Sequence, residues 1–100
     1  MQVGDNMNEK FLPVGSVVLL KEATRGIVII GYSVVEEGSQ KIWDYLGAAY
    51  PIGVISPDKN LLFNRNQIDK VLFEGYKDKD EEKFLNALTE SMNKIYSNHK

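Results

Sequence analysis

Two tetrapeptides without a polar side chain, Val17-Val18-Leu19-Leu20 and Ile27-Val28-Ile29-Ile30, stand six residues apart in this chain. Side chains alternate between the faces of a strand, so four consecutive apolar residues put hydrocarbon on both faces of the sheet they enter. The linker Lys21-Glu22-Ala23-Thr24-Arg25-Gly26 is polar and ends in glycine, as a hairpin loop longer than two residues does. A parallel crossover needs about a dozen residues or more, so the pair is expected to be antiparallel. The stretch from Leu12 to Tyr32 therefore sets a demand on the rest of the chain: each face of its hairpin needs a cover.

Two covers are available, namely further strands if the sheet curls, and a helix at the C-terminus. Together they predict an α+β fold, a small, strongly curled, barrel-like antiparallel sheet with a C-terminal amphipathic helix. Pro13 and Gly15 punctuate the entry to the first strand. Ser33–Val35 prolongs the second strand toward Glu36-Glu37-Gly38-Ser39, where Gly38 supplies a positive φ. Gln40–Tyr50 reads as a third strand, with Ile42, Asp44 and Leu46 on one side and Trp43 and Tyr45 on the other; Gly47 marks a bulge or a close approach. Val54-Ile55 is expected to be a short fourth strand and Leu61–Phe63 another, followed by a polar break at Asn64–Asn66. Ile68–Phe73 fits neither period cleanly and reads as a one-turn segment leading into a strand.

The clearest helix runs over about 78–97. Asp78 is placed to cap it, with Glu81 three residues on, and Glu82 suits the positive end of the dipole. Phe84, Leu85, Leu88, Met92, Ile95 and Tyr96 recur at helical spacing. Leu85, Leu88, Met92 and Ile95 form an a–d seam whose first expected role is to cover the sheet and whose second is to bind a partner.

One hundred residues make one domain, here placed at 11–100, with Met1–Lys10 a polar, flexible leader or upstream start. A hydrophobic fraction of 43% with 26% charged residues is that of a soluble globular chain. There is no cysteine, which removes disulfides, thiolate nucleophiles and the usual zinc ligands together. No stretch resembles a signal peptide or reaches membrane-spanning length, so a cytoplasmic, non-membrane protein is expected. The net charge of −2 and the scattered lysines give no basic face, which disfavours nucleic acid.

Chemistry-bearing patterns are correspondingly thin. The single histidine, His99, lies next to the chain end and supports no triad. Asp44 with Asp58 or Asp69 is a carboxylate pair on paper, but solvated strand-end and turn acids explain them better. Asp78, Asp80, Glu81 and Glu82 lack the spacing of a calcium loop, and helix capping accounts for them. Gly15, Gly26 and Gly31 fit turns, not a phosphate loop. No catalytic residue, cofactor or metal is therefore expected. Tyr32, Trp43, Tyr45, Tyr50, Phe63 and Tyr76 are either core and rim or a stacking platform; Tyr45 and Tyr50, beside Asp44 and the Tyr50-Pro51 bend, are expected to stay partly exposed. The candidate partner-binding residues are Trp43, Tyr45, Tyr50, Leu85, Leu88, Met92 and Ile95.

Leu12-Pro13-Val14-Gly15-Ser16-Val17-Val18, Asp44-Tyr45, Tyr50-Pro51 with Gly53, Phe63-Asn64, and Phe73-Glu74-Gly75-Tyr76 leading into an acidic helix start are motifs of a recognisable kind. Over Phe11 to Leu88 the chain resembles a family of small uncharacterised proteins of Gram-positive bacteria, encoded beside type VII secretion loci and their LXG-type toxins. Ile52 stands where many relatives carry an acidic residue, so no functional carboxylate is carried over there. The resemblance implies a non-enzymatic accessory, a targeting factor, chaperone or adaptor, whose partner is the secreted toxin or small helical secretion proteins. An immunity protein of the same locus is the variant reading. A small-barrel nucleic-acid or regulatory module using Arg25, Arg65 and exposed aromatics is the rival, and homo-oligomerisation is compatible with any of them.

Overall fold

The computed structural model describes residues 10–98, with side chains described as far as Ile95. The expected leader (but for Lys10), the Tyr96 side chain and His99 lie outside the described part. Five strands form one antiparallel sheet: β1 (Val17–Leu20), β2 (Ile27–Val35), β3 (Ile42–Ala49), β4 (Leu61–Phe63) and β5 (Ile68–Phe73). One helix, α1 (Lys79–Asn98), follows. The spatial order β4-β3-β2-β1-β5 puts the hairpin in the middle of the sheet, as its doubly apolar strands require.

The predicted hairpin is present, with Val17 opposite Val28 and Val18 opposite Ile27. Its alternation divides the side chains cleanly. Val18, Ile27 and Ile29 are buried in the core with Leu85 and Met92 of α1, and Leu88 and Ile95 pack against the same cluster. Val17, Leu19, Val28 and Ile30 keep part of their surface exposed. The helix thus covers one face of the sheet.

The sheet is open. β4 and β5 are its two edges and do not pair, so the expected strongly curled, barrel-like closure is absent. Closure needs edge strands long enough to register against each other, and β4 has three residues. With α1 covering one face, the core is formed without it. Val54-Ile55 is likewise not a strand. Both side chains are exposed in the β3–β4 connection, where Gly53 makes only an isolated bridge to Ala49. The turn placed within Ile68–Phe73 lies just before it, as a 3-10 turn at Arg65–Gln67, and all six residues of 68–73 are strand.

Other local expectations are met. β2 does extend to Val35, Gly38 has φ +90°, and Asp78 Oδ1 accepts the Glu81 N–H at 2.8 Å at the start of α1. Gly47 is a close approach: a Cβ there would run into Ile27 Cγ2 and stand 2.8 Å from Phe63 Cε1. Gly47→Ala is therefore expected to cost about 1–3 kcal/mol by overpacking, read as a lower denaturation midpoint at unchanged slope; wild-type stability in that variant contradicts the packing described.

Candidate functional site

Two of the buried polar side chains, Asp44 and Arg65, meet at one point between the sheet and α1. β3 delivers Asp44, fully buried, and the 3-10 turn after β4 delivers Arg65, 4% exposed. The Arg65 backbone N–H and its Nε both donate to Asp44 Oδ2, at 2.8 and 3.1 Å. Arg65 Nη2 donates to Asn93 Oδ1 of α1 at 3.2 Å, and its guanidinium carbon stands 4.3 Å from the centre of the Phe11 ring. The turn that carries Arg65 is itself capped. Asn64 and Gln67 form a reciprocal capping box, in which the Asn64 N–H donates to Gln67 Oε1 at 2.8 Å, and Asn64 Oδ1 also accepts the Asp44 N–H at 2.9 Å. The spacing Asn64-x-x-Gln67 was the local signal for this turn; the pairing of Asp44 with Arg65, 21 residues apart, has none.

Beside this pair the segment before β1 is clamped. Leu12 N–H donates to the Tyr45 hydroxyl at 2.9 Å, the Tyr32 hydroxyl donates to the Leu12 carbonyl, and Phe11 N–H donates to Thr89 Oγ1 at 3.3 Å. Phe11, Tyr32, Tyr45 and Phe63 make a ring cluster with centroid separations of 5.1–5.9 Å. Burial pushes the Tyr32 hydroxyl up to about 12, with the nearby Glu81 carboxylate adding to the shift. Burial also raises Tyr45, which at 0% exposure is far from the rim position expected of it. β3 is an interior strand, flanked by β4 and β2, and Phe11 roofs Tyr45, a burial that no local motif signals.

The candidate partner-binding residues therefore separate. Tyr45, Leu85 and Met92 are core, and Leu88 and Ile95 pack against it, so the a–d seam of α1 serves the sheet. Trp43 is partly exposed, with Nε1 donating to Glu36 Oε1 at 3.1 Å and Lys41 Nζ 4.0 Å from its ring centre. Tyr50 is exposed, as expected. Sequence reasoning missed a run of exposed aliphatics: Ile52, Val54, Ile55 and Leu61. Their signal was the uncharged stretch Tyr50-Pro51-Ile52-Gly53-Val54-Ile55, read instead as a strand and its approach.

The arrangement offers little for acid–base chemistry. Asp44 is held by Arg65 in place of a second carboxylate, and Asp58 accepts the Ser56 hydroxyl at 2.6 Å. Arg65, proposed as a nucleic-acid contact, is buried in the ion pair. No group of three or more metal-ligating side chains occurs among the described residues. A groove of about 470 Å³ runs between Lys10–Pro13 and the start of α1, with charges of both signs along it. No described helix is long and apolar enough to cross a membrane.

A family model described as "Domain of unknown function (DUF4176)" matches residues 11–84. The chain belongs to that family. The DUF4176 match opens on the buried Phe11 and closes at Phe84, so it encloses the whole sheet, the Leu12 clamp and the Asp44–Arg65 pair. No curated protein and no solved structure matches the chain.

The tyrosine clamp makes stability depend on pH at the alkaline end. An unfolded tyrosine loses its proton near pH 10, whereas folded Tyr32 holds it to about 12, so the stability Tyr32 contributes is fully present below pH 10 and is lost as pH rises from there toward 12. Thermal midpoints are expected to drop across that window and to drop less steeply in Tyr32→Phe. A midpoint that is flat in the wild type contradicts the clamp.

Proposed function

We propose that this protein is a non-enzymatic accessory, a targeting factor, chaperone or adaptor, that binds an LXG-type toxin of a type VII secretion system or the toxin's small helical partner proteins in the cytoplasm of a Gram-positive bacterium. The reading rests first on the sequence resemblance. The observation that carries it in the fold is the aliphatic group Ile52, Val54, Ile55 and Leu61, exposed by 63%, 58%, 63% and 43% in the β3–β4 connection and the first residue of β4. Exposed apolar residues gathered on one loop and the adjoining edge mark an interaction surface more often than a solvated one.

The buried polar groups favour the same reading. Asp44 and Arg65 are spent on each other and on joining β3 to α1, which leaves them a structural part and makes docking, not bond making, the natural use of the surface. The apolar loop gives a partner side chains to bury, and burial at the centre of an interface carries most of its affinity.

Co-expression with the neighbouring toxin and its helical partners is expected to yield a complex on size exclusion. Ile52→Asp with Ile55→Asp, both exposed and so compatible with folding, is expected to weaken that complex by about tenfold or more. Absence of any complex, with toxin and partners all soluble, would sink the proposal.

A further inference from the structure

Tyr50, Leu72 and Phe73 are each more than half exposed, at 52%, 55% and 61%. They are also neighbours. Phe73 stands opposite Val17 in the β1–β5 ladder. A Cβ on Gly26 would meet Val17 Cγ1, Leu72 Cδ1 and Tyr50 Cβ together, at 3.2, 3.5 and 3.6 Å. Val17 alternates with buried Val18, so this patch belongs to the sheet face that α1 does not cover.

Strand addition is a poor way to bury it. β5 carries two register shifts against β1, at Val17/Val18 and Leu19/Leu20, and such irregularities bend an edge away from a straight ladder. Packing face to face remains. We propose that the patch docks on the same patch of a second copy of this chain, forming a two-fold dimer in which the uncovered sheet faces meet and the two β1 strands run antiparallel.

Area and charge both point to a second copy. Three side chains of this size, half exposed, present on the order of 400 Å² of mainly apolar surface, and the partly exposed Val17, Leu19 and Val28 add to it. That approaches the apolar share of one side of a standard-size protein–protein interface, about 57% of about 800 Å², the size of a weak, reversible dimer. The charges flanking the patch are opposite at its two ends. The turn beyond Leu20 holds Lys21, Glu22 and Arg25, which sum to +1; the segment beyond Phe73 holds Glu74, Lys77 and Asp78, which sum to −1. An antiparallel two-fold sets each end against its opposite, twice.

The proposal goes beyond the accessory role and does not rest on it: it is argued from Tyr50, Leu72 and Phe73, the accessory role from Ile52, Val54, Ile55 and Leu61. Sedimentation equilibrium of the full chain from about 1 μM to about 1 mM is expected to show a monomer–dimer equilibrium. Leu72→Lys is expected to raise the dissociation constant by about tenfold or more with unchanged circular dichroism and melting. Arg25→Glu weakens association, and Arg25→Glu with Glu74→Lys restores it. A monomer throughout, a dimer that Leu72→Lys leaves intact, or a charge exchange that restores nothing overturns the proposal.

Discussion

One guanidinium joins the parts of this fold that are most distant in sequence. Arg65 reaches Asp44 on β3, Asn93 on α1 and the face of the Phe11 ring, from a turn that Asn64 and Gln67 hold in shape. Burying two charges is costly, and the cost is offset only where geometry is good and the remaining hydrogen-bonding positions are filled. Here the carboxylate takes two donors from one residue, and the arginine spreads across three structural units. Losing either partner would strand the other inside, a penalty of about 3–5 kcal/mol, large against the stability of a 100-residue domain. The pair also ties α1, through Asn93, to the face that its apolar seam covers.

From that placement the surface follows. Both strands of the hairpin are apolar on both sides, and one helix covers only one of them. The uncovered face keeps Val17, Leu19, Val28 and Ile30 partly exposed, with Leu72, Phe73 and Tyr50 around them, and the β3–β4 connection adds its own aliphatics. A small domain that leaves this much hydrocarbon outside gains from association. Such surface occurs both on the sheet face and in the β3–β4 connection.

Local chemistry was legible in the sequence, and long-range chemistry was not. The hairpin, the extension of β2 to Val35, the positive φ of Gly38, the tight site at Gly47 and the Asp78 cap each depend on residues within a few positions of one another or on the absence of a side chain. The seam of α1 was legible too, because helical period needs no knowledge of what it packs on. Three features depend on contacts across the fold and were not. The burial of Tyr45 depends on Phe11 arriving as a roof and on the Leu12 peptide arriving as a hydrogen-bond partner. The burial of Arg65 depends on Asp44, and neither residue type advertises an ion pair at that separation. The open sheet depends on β4 stopping after three residues, while hydrophobic pattern alone left closure available. The exposed Ile52–Ile55 stretch was misread for a related reason: an uncharged apolar run reads as a strand until the sheet proves to have no place for it.

The central claim is that α1 and the Asp44–Arg65 pair bury one face and leave the other open. Hydroxyl-radical footprinting of the dilute protein tests it most directly, since it allows residues of the same kind to be compared. Tyr50 against Tyr45, and Phe73 against Phe63, should differ sharply, with the first of each pair oxidised quickly and the second spared. Equal rates within either pair would contradict the account.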